Sequence, residues 1–260
     1  MPVRLGISPI GWSNDDLPEL GGDIPLDSCL AEARAAGYEG IELGHKFPRD
    51  PAALPNILEQ FGLVLISGWY SGRLLERPVI AEIAAMEPHS SLLVAMDCTV
   101  MVYAETSGSI AGDRLRPLSG RPRLGAGDWH DFGARLTELA EHLSRRGIAL
   151  VYHHHMGTVI ESEREIDRLM AVTGNTVGLL VDSGHAAYAG VDPAALIRRH
   201  ADRIKHVHCK DVRRHVLARA RTTDASFLDA VLDGVFTVPG DGCIDFSDAQ
   251  IGRASCRERV

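Results

Sequence analysis

The chain has 260 residues, of which 45% are hydrophobic and 24% are charged, and its formal net charge is −8. This composition is typical of a globular protein with a substantial core and does not fit a disordered segment. The acidic balance argues against nucleic acid or an anionic membrane as the main partner, because both need a basic surface. The sequence has no run of about 18 apolar residues, so it predicts no membrane-spanning helix.

The first residues and the cysteines together predict a cytoplasmic location. Residues 1–6 lack the apolar stretch and the small-residue cleavage site of a signal peptide. The five cysteines are scattered along the chain, and no two of them have CxxC spacing. We therefore expect neither a disulfide framework nor a cysteine zinc site, and a reducing compartment fits best.

Short apolar runs alternate with amphipathic stretches along the chain. Buried strands are predicted at residues 4–7, 40–43, 63–67, 99–103, 149–152, 177–181 and 206–209. Helical patterns lie between them at residues 25–36, 51–61, 129–146, 161–172 and 193–200. Residues 108–128 are rich in Gly, Pro, Ser and Arg and are predicted to form a long loop. This alternation predicts an α/β protein with a parallel sheet covered on both faces.

A single (β/α) barrel is favoured over a doubly wound sheet. Doubly wound sheets usually carry a GxGxxG phosphate loop after the first strand, and GISPIG at residues 6–11 does not match it. Because seven strands are counted, we expect a (β/α)8 barrel truncated before strand 8, with residues 1–250 as one domain that lacks its last β/α unit. Residues 251–260 have no strand or helix period, and we interpret them as a non-native tail. The alternative is a natural, arginine-rich end.

Chemically active residues follow the predicted strands. In a parallel barrel, the reacting groups lie at the C-terminal ends of the strands. The residues at those ends are Glu42, Trp69, Glu105, His153, His154, His155, Asp182, His185, His208, Lys210 and Asp211. A single such residue is most simply explained as part of a solvated loop, but so many strand ends in register favour a functional site.

Three of these residues have metal-ligand chemistry. His153, Asp182 and His208 end successive strands, and imidazole with carboxylate suits Mn, Co, Fe or Zn. Each residue also has a simpler interpretation. The three histidines at 153–155 could form a polar turn, and Asp182 could be a helix N-cap. His206 and His208 lie on the same face of their strand, so one of them could simply fill the barrel.

Six motifs resemble the myo-inosose-2 dehydratase family of the xylose-isomerase-like barrels. They are GISPIGWSNDD at residues 6–16, GYEGIELGHKFP at 37–48, YHHHMGT at 152–158, DSGH at 182–185, HVHCKDV at 206–212 and FTVPGDG at 236–242. The resemblance implies a lyase of inositol catabolism that dehydrates 2-keto-myo-inositol (scyllo-inosose) to 3D-trihydroxycyclohexane-1,2-dione. It also implies a divalent metal, Mn or Co, and glutathione as an added cofactor.

The resemblance also implies a ligand set. The superfamily usually holds its metal with Glu, Asp, His and Glu from four late strands. Asp182 and His208 match the middle pair, and His153 stands at the position of the first glutamate, with His155 as its rival. No strand of this chain matches the one that would carry the final glutamate. We expect the metal ligands to be His153, Asp182 and His208.

Dehydration beside a ketone defines the other roles. A general base removes the carbon-bound proton, a general acid protonates the departing hydroxyl, and a metal stabilises the charge that develops. Candidates for the proton transfers are Glu42, Glu105, His185 and Lys210, and the sequence does not allot the two roles. We expect the substrate to contact Trp12, Asn14, Lys46, Trp69 and Arg214. For the two tryptophans, ordinary packing at the barrel mouth is an equal alternative.

The expected partner is a small polyol ketone, with no nucleic acid and no membrane, and a homo-oligomer is compatible with the sequence. Three alternatives to the dehydratase stay open. One is a sugar isomerase or epimerase on the same barrel, which would share the metal chemistry. Another is an abasic-site endonuclease, which would need several metals and a basic groove. The third is a catalytically dead sugar-binding remnant.

Overall fold

A computed structural model describes residues 5–247 of the chain. Its elements, in chain order, are β1 (Gly6–Ile7), α1 (Leu26–Ala35), β2 (Gly40–Leu43), α2 (Leu54–Gln60), β3 (Val64–Gly72), α3 (Val79–Ala95), β4 (Val100–Glu105), α4 (Asp128–Ser144), β5 (Ala149–His153), α5 (Glu163–Val172), β6 (Gly178–Asp182), α6 (Ser183–Ala189), α7 (Pro193–Arg199), β7 (Ile204–His208), β8 (Asp211–Val212), α8 (Arg214–Thr222), α9 (Phe227–Leu232) and β9 (Phe236–Thr237). Two short 3₁₀ turns, Pro9–Gly11 and Leu118–Gly120, lie between them.

Strands β1 to β7 form one sheet in chain order, and every neighbouring pair is parallel. This confirms the prediction of an α/β protein with a parallel sheet. The sheet curves around an interior, because Glu42 Oε1 on β2 lies 3.0 Å from His208 Nε2 on β7. Within residues 5–247, the strand ladder ends at β1 and at β7. The missing eighth unit and the domain limits stay predictions, and the tail at 251–260 lies outside the described residues.

Successive residues of the strands face alternately into the barrel and towards the helices. The inward side chains Val102, Val151 and Leu180 form a small apolar cluster inside the barrel. Their outward neighbours pack with the helices in the main core. The next inward positions of β5 and β6 are His153 and Asp182, so apolar layers in the barrel support a polar layer at the C-terminal ends of the strands.

All seven predicted strands are confirmed, but their ends differ from the prediction, most of all in β3 and β4. β3 runs to Gly72, so Trp69 lies inside the strand, and β4 ends at Glu105 itself. Helix α3 was not predicted, because it contains Pro88 and its apolar residues do not form a single stripe. Helices α6, α8 and α9 and the β8–β9 pair were also not predicted. Their 2 to 9 residues are too few to display a period.

The C-terminal part of the described chain forms a second, smaller core. The short strands β8 and β9 pair in antiparallel fashion. The core packs these strands with α6, α8 and α9, and its members include Tyr188, Val212, Leu217, Phe227 and Val235. The rings of Phe227 and Phe236 lie 5.5 and 5.3 Å from that of His185, so this core supports one side of the strand-end cluster.

The buried carboxylate of Asp211 ties this second core together. Its Oδ1 accepts hydrogen bonds from the backbone N–H groups of Val212 and Ile244, at 2.7 and 2.9 Å. Its Oδ2 accepts from those of Gly240 and Gly242, both at 3.0 Å. Burial opposes ionisation, but these four donors hold the pKa of Asp211 below its usual value. One side chain therefore fixes the loop that follows β9.

The predicted loop at 108–128 has no regular element longer than a 3₁₀ turn. It carries Arg121, which is buried and pairs with Glu161 at 3.2 Å and with Glu165 at 2.7 Å. This loop is therefore held against the start of α5. None of the helices between residues 5 and 247 has the length and apolar composition that crossing a bilayer requires.

Candidate metal and active site

The ends of β5, β6 and β7 bring together the three predicted metal ligands. Asp182 Oδ2 lies 3.6 Å from His153 Nε2 and 3.4 Å from His208 Nδ1. One ligand atom of each residue lies within 4.8 Å of the others. Atoms bound to one divalent ion at about 2.0–2.2 Å would have separations of this size. The structure brings the three residues together, and metal binding itself stays a prediction.

The two oxygens of Asp182 have different tasks. Oδ1 accepts a hydrogen bond from the backbone N–H of His185 at 2.9 Å and so caps the N-terminus of α6. Oδ2 faces His153, His208 and the ammonium of Lys210. Burial opposes ionisation, but the Lys210 charge and the nearby imidazoles hold the pKa of Asp182 well below its usual value. The capping and ligand interpretations therefore both apply, one to each oxygen.

His153 is oriented like a metal ligand. Its Nδ1 lies 2.7 Å from the carbonyl oxygen of His154, which can only accept, so Nδ1 carries the proton. In the neutral ring, Nε2 then carries a lone pair, and this nitrogen faces Asp182. Burial lowers the pKa of His153 and favours the neutral ring. A ring nitrogen held by the backbone in this way is common behind metal-binding histidines.

One nitrogen of His208 shows whether the residues present fit a metal. Its Nδ1 is buried and has no hydrogen-bond partner among the described residues. The carboxylate oxygen of Asp182 at 3.4 Å is near enough for an ion pair but is not placed for a hydrogen bond. A buried nitrogen beside a carboxylate and a second imidazole is a donor set that suits Mn, Co or Zn. The residues present therefore fit a divalent metal.

Two further histidines lie against each other beside this cluster. The rings of His155 and His185 have centroids 4.0 Å apart. His155 Nδ1 donates to the carbonyl oxygen of Met156 at 2.8 Å, whereas His185 Nδ1 accepts from the N–H of Met156 at 3.2 Å. Burial lowers the pKa of His155 to about 3 and that of His185 well below its usual value. The neutral rings are therefore opposite tautomers, with an acceptor at Nε2 of His155 and a donor at Nε2 of His185.

Trp69 forms one wall of the site. Its ring lies edge-on to those of His153 and His155, with centroids 5.4 and 5.8 Å away. The residue is 37% exposed, so part of the indole stays accessible beside the candidate ligands. This placement is compatible with both interpretations of Trp69, and contact with a substrate stays a prediction.

Glu42 lies inside the barrel on β2 and joins the cluster through His208. Its Oε1 accepts hydrogen bonds from Nε2 of His206 and from Nε2 of His208, both at 3.0 Å. The hydroxyl of Ser67 donates to the same oxygen at 2.5 Å. Burial opposes ionisation, but the imidazoles of His208 and His206 hold the pKa of Glu42 well below its usual value.

The structure places Glu105 outside this cluster. It shares the outward orientation of Tyr103, whose hydroxyl donates to its carboxylate at 3.0 Å. The backbone N–H groups of Leu74 and Ser107 donate to the same carboxylate at 2.8 and 3.1 Å. Burial raises the pKa of Glu105. This placement does not support the expected proton-transfer role of Glu105. Successive side chains of β4 face alternate sides of the sheet, and the side chain of Glu105 is on the side of the helices.

Four further residues were expected to contact the substrate. One of them, Arg214, is the first residue of α8 and is exposed. Trp12 donates from Nε1 to Glu32 on α1 at 2.7 Å. Asn14 accepts from two backbone N–H groups of the turn that follows it, at 2.8 and 3.0 Å. Lys46 donates to three backbone carbonyls within residues 21–24, at 2.5 to 3.1 Å. Asn14 and Lys46 therefore organise the loop after β1, and the expected substrate contacts of all four residues stay predictions.

Sequence reasoning missed Ser67, Met156 and His206 as members of the site. The alternation of His206 with His208 was a signal, since it placed both rings on one strand face. Met156 acts through its peptide group, which no side-chain pattern reveals. Ser67 is found only when β2 and β3 are known to be neighbours.

Comparisons with known proteins agree with this architecture. A family model described as xylose isomerase-like TIM barrel matches residues 30–249. The rhizopine catabolism protein MocC of Rhizobium meliloti is 55% identical over 246 residues, which is 95% of this chain and 76% of that protein. An inosose dehydratase of Geobacillus thermodenitrificans is 44% identical over 246 residues, or 94% of this chain and 83% of that protein.

Among solved structures, the probable 3-DHS dehydratase AsbF from Bacillus anthracis superposes with a TM-score of 0.70. The match covers 97% of this chain and 89% of that one at 13% identity, so it bears on the fold alone.

Proposed function

Because this chain belongs to the xylose isomerase-like TIM barrel family, as a dehydratase related to the inosose dehydratases, we propose that its substrate is 2-keto-myo-inositol. The reaction removes water from this ketone and gives 3D-trihydroxycyclohexane-1,2-dione. Family membership confirms the predicted xylose-isomerase-like barrel and the resemblance of the motifs.

The convergence of His153, Asp182 and His208 is the observation that carries the proposal. Their ligand atoms lie within 4.8 Å of one another at the end of the barrel where reacting groups are expected. A Mn or Co ion held by these residues would supply positive charge beside the ketone oxygen and so favour loss of the neighbouring proton. Lys210 already places a cation against Asp182, which indicates that this carboxylate oxygen accepts positive charge.

The pair His155 and His185 supports the two proton transfers that an elimination needs. Nε2 of His155 can accept a proton, and the Nε2–H of neutral His185 can donate a hydrogen bond. We assign removal of the carbon-bound proton to His155, whose protonated ring then gives this proton to the departing hydroxyl, and we assign to His185 a hydrogen bond to that hydroxyl. The ring of Trp69 lies edge-on to His155, with centroids 5.8 Å apart, and forms a wall beside this member of the pair.

A product assay tests the substrate and the reaction together. The protein is incubated with scyllo-inosose and Mn²⁺ or Co²⁺, with and without reduced glutathione, and the dione is measured by mass spectrometry. Asp182→Asn is expected to lower turnover by about 100-fold or more, because it removes charge at the reacting centre. The exposed Asp233→Asn serves as the matched control. Epimerised sugar without dione would contradict the proposal and favour the isomerase alternative.

The 55% identity with a protein named for rhizopine catabolism favours a second candidate function. The same dehydratase chemistry would then serve a compound from that catabolism. Parallel assays of scyllo-inosose and of rhizopine-derived compounds, compared by kcat/KM, separate the two candidates. Turnover of a rhizopine-derived compound alone would replace the first proposal with the second.

A further inference from the structure

Glu42 is the centre of a hydrogen-bond cluster that lies next to the candidate metal ligands. Its Oε1 accepts from His206, His208 and Ser67 within 3.0 Å. The side chain is 12% exposed, so the cluster is largely removed from solvent. His208 is the one member that also belongs to the group with His153 and Asp182.

The contact with Glu42 fixes which nitrogen of His208 carries a proton. An ionised carboxylate can only accept, so the 3.0 Å contact requires a proton on Nε2. A ring that binds a metal through Nδ1 keeps its proton on Nε2 and offers a lone pair at Nδ1. Nδ1 faces Asp182 at 3.4 Å and has no hydrogen-bond partner within the described part of the chain.

We propose that Glu42 is a positioning residue, which fixes the orientation and tautomer of His208 so that Nδ1 binds the metal together with His153 and Asp182. The proposal rests on the metal dependence included in the proposed function. It takes the place of the expected role of Glu42 in proton transfer, because the contacts of Oε1 with His206, His208 and Ser67 hold this carboxylate against the neighbouring strands. A carboxylate behind a ligating imidazole orients the ring and raises its basicity.

A rival arrangement must be distinguished from this one. Glu42, His206 and His208 also place one ligand atom each within 4.8 Å and could hold an ion themselves. Their donors and acceptors already satisfy one another, however, and Ser67 adds a third hydrogen bond to the same oxygen. The open nitrogen of His208 lies on the other side, towards Asp182, and this favours the group with His153.

Metal titration of the purified chain tests the proposal without any assay of activity. Binding of Mn²⁺ and Co²⁺ is followed by calorimetry, and the visible absorption of bound Co²⁺ reports its ligand field. Glu42→Gln is expected to weaken binding by about 10–100-fold and to shift the Co²⁺ bands. Glu42→Asp keeps the charge but withdraws it by one methylene, so an intermediate loss is expected. Melting curves of the metal-free variants check that each one folds.

Two histidine variants with the same change form a matched pair. His153→Gln is expected to abolish tight binding, whereas His206→Gln leaves the His208–Glu42 hydrogen bond in place and is expected to lose much less affinity. Equal affinity of Glu42→Gln and wild type would overturn the proposal. So would a loss in His206→Gln as large as that in His153→Gln, because the ion would then lie in the rival group.

The outcome is separable from the substrate assignment. Weakened metal binding in Glu42→Gln together with no dione from scyllo-inosose would refute the proposed substrate and leave the role of Glu42 supported. If wild type forms the dione and Glu42→Gln binds metal as tightly as wild type, the proposed substrate is supported and the role of Glu42 is refuted. A wild-type chain that binds neither metal would overturn both the metal dependence and the role of Glu42.

Discussion

Replacement of Asp211 by asparagine tests how the second core is held together. Asp211→Asn keeps the size and shape of the side chain but exchanges one carboxylate oxygen for an NH₂ group. The amide oxygen can still accept from Val212 and Ile244, at the present distances of 2.7 and 2.9 Å. The NH₂ group faces the N–H groups of Gly240 and Gly242, so two hydrogen bonds are lost and donors face donors.

The magnitude follows from the number of bonds. A hydrogen bond to a charged group contributes about 1.5–3 kcal/mol, so the loss of two lowers the free energy of unfolding by about 3–6 kcal/mol. This is a large share of the ~5–15 kcal/mol that stabilises a typical domain. The loop after β9 is expected to open first, and Phe236, which packs against His185, loses its support.

Urea unfolding at pH 7 and hydrogen exchange of the amides of residues 240–244 measure the effect. The matched control is Asp233→Asn, whose ion pair with Arg219 is more than half exposed and contributes little. A change below about 0.5 kcal/mol in Asp211→Asn, the range of neutral surface substitutions, would refute the reasoning. Unchanged exchange of the loop amides would refute it as well.

The same carboxylate gives a pH dependence with a definite sign. The pKa of Asp211 is lower in the folded chain than in the unfolded one, so its stabilisation is complete above the usual value near 3.8. The stabilisation is lost as the pH falls through the lowered folded-state pKa. Wild type is therefore expected to lose more stability than Asp211→Asn between neutral pH and strong acid. Parallel curves of stability against pH for the two proteins would contradict this.

Two further predictions concern packing and charge. Leu180→Ala removes a fully buried side chain from the barrel interior and is expected to lower the free energy of unfolding by about 2–5 kcal/mol, measured by urea unfolding; a loss below about 1 kcal/mol would show that the interior repacks. Arg121→Met leaves Glu161 and Glu165 without their cation and is expected to lower the free energy of unfolding by about 3 kcal/mol, which is measured as a lower melting temperature. An unchanged melting temperature would show that these ion pairs do not stabilise the loop at 108–128.

The strands and the ligand cluster could be predicted because both follow from local patterns. Apolar runs of four or five residues marked the strands, and parallel strands bring their C-terminal ends to one edge. His153, Asp182 and His208 were therefore expected to meet, although the sequence did not show which atoms of each would face the others. The N-cap role of Asp182 was foreseen only as an alternative, yet it is present on the second oxygen.

The roles of Glu42 and Glu105 could not be predicted for two different reasons. The contact of Glu42 with His208 joins residues 166 positions apart across the barrel, which no local pattern encodes. For Glu105, the face depends on where β4 ends and on its alternation. It shares the outward side of Tyr103, and a shift of one residue would have turned it inward.

The peptide of Met156, which holds two imidazoles in opposite tautomers, has an evolutionary consequence. Every amino acid except proline supplies the same N–H and carbonyl, so selection on proton placement leaves the identity of this side chain almost unconstrained. Its burial in the second core limits its size and polarity, but the neighbouring histidines have no such latitude. Natural variants of the segment YHHHMGT should therefore drift at position 156 among apolar residues and exclude proline there, while they keep His153 and His155.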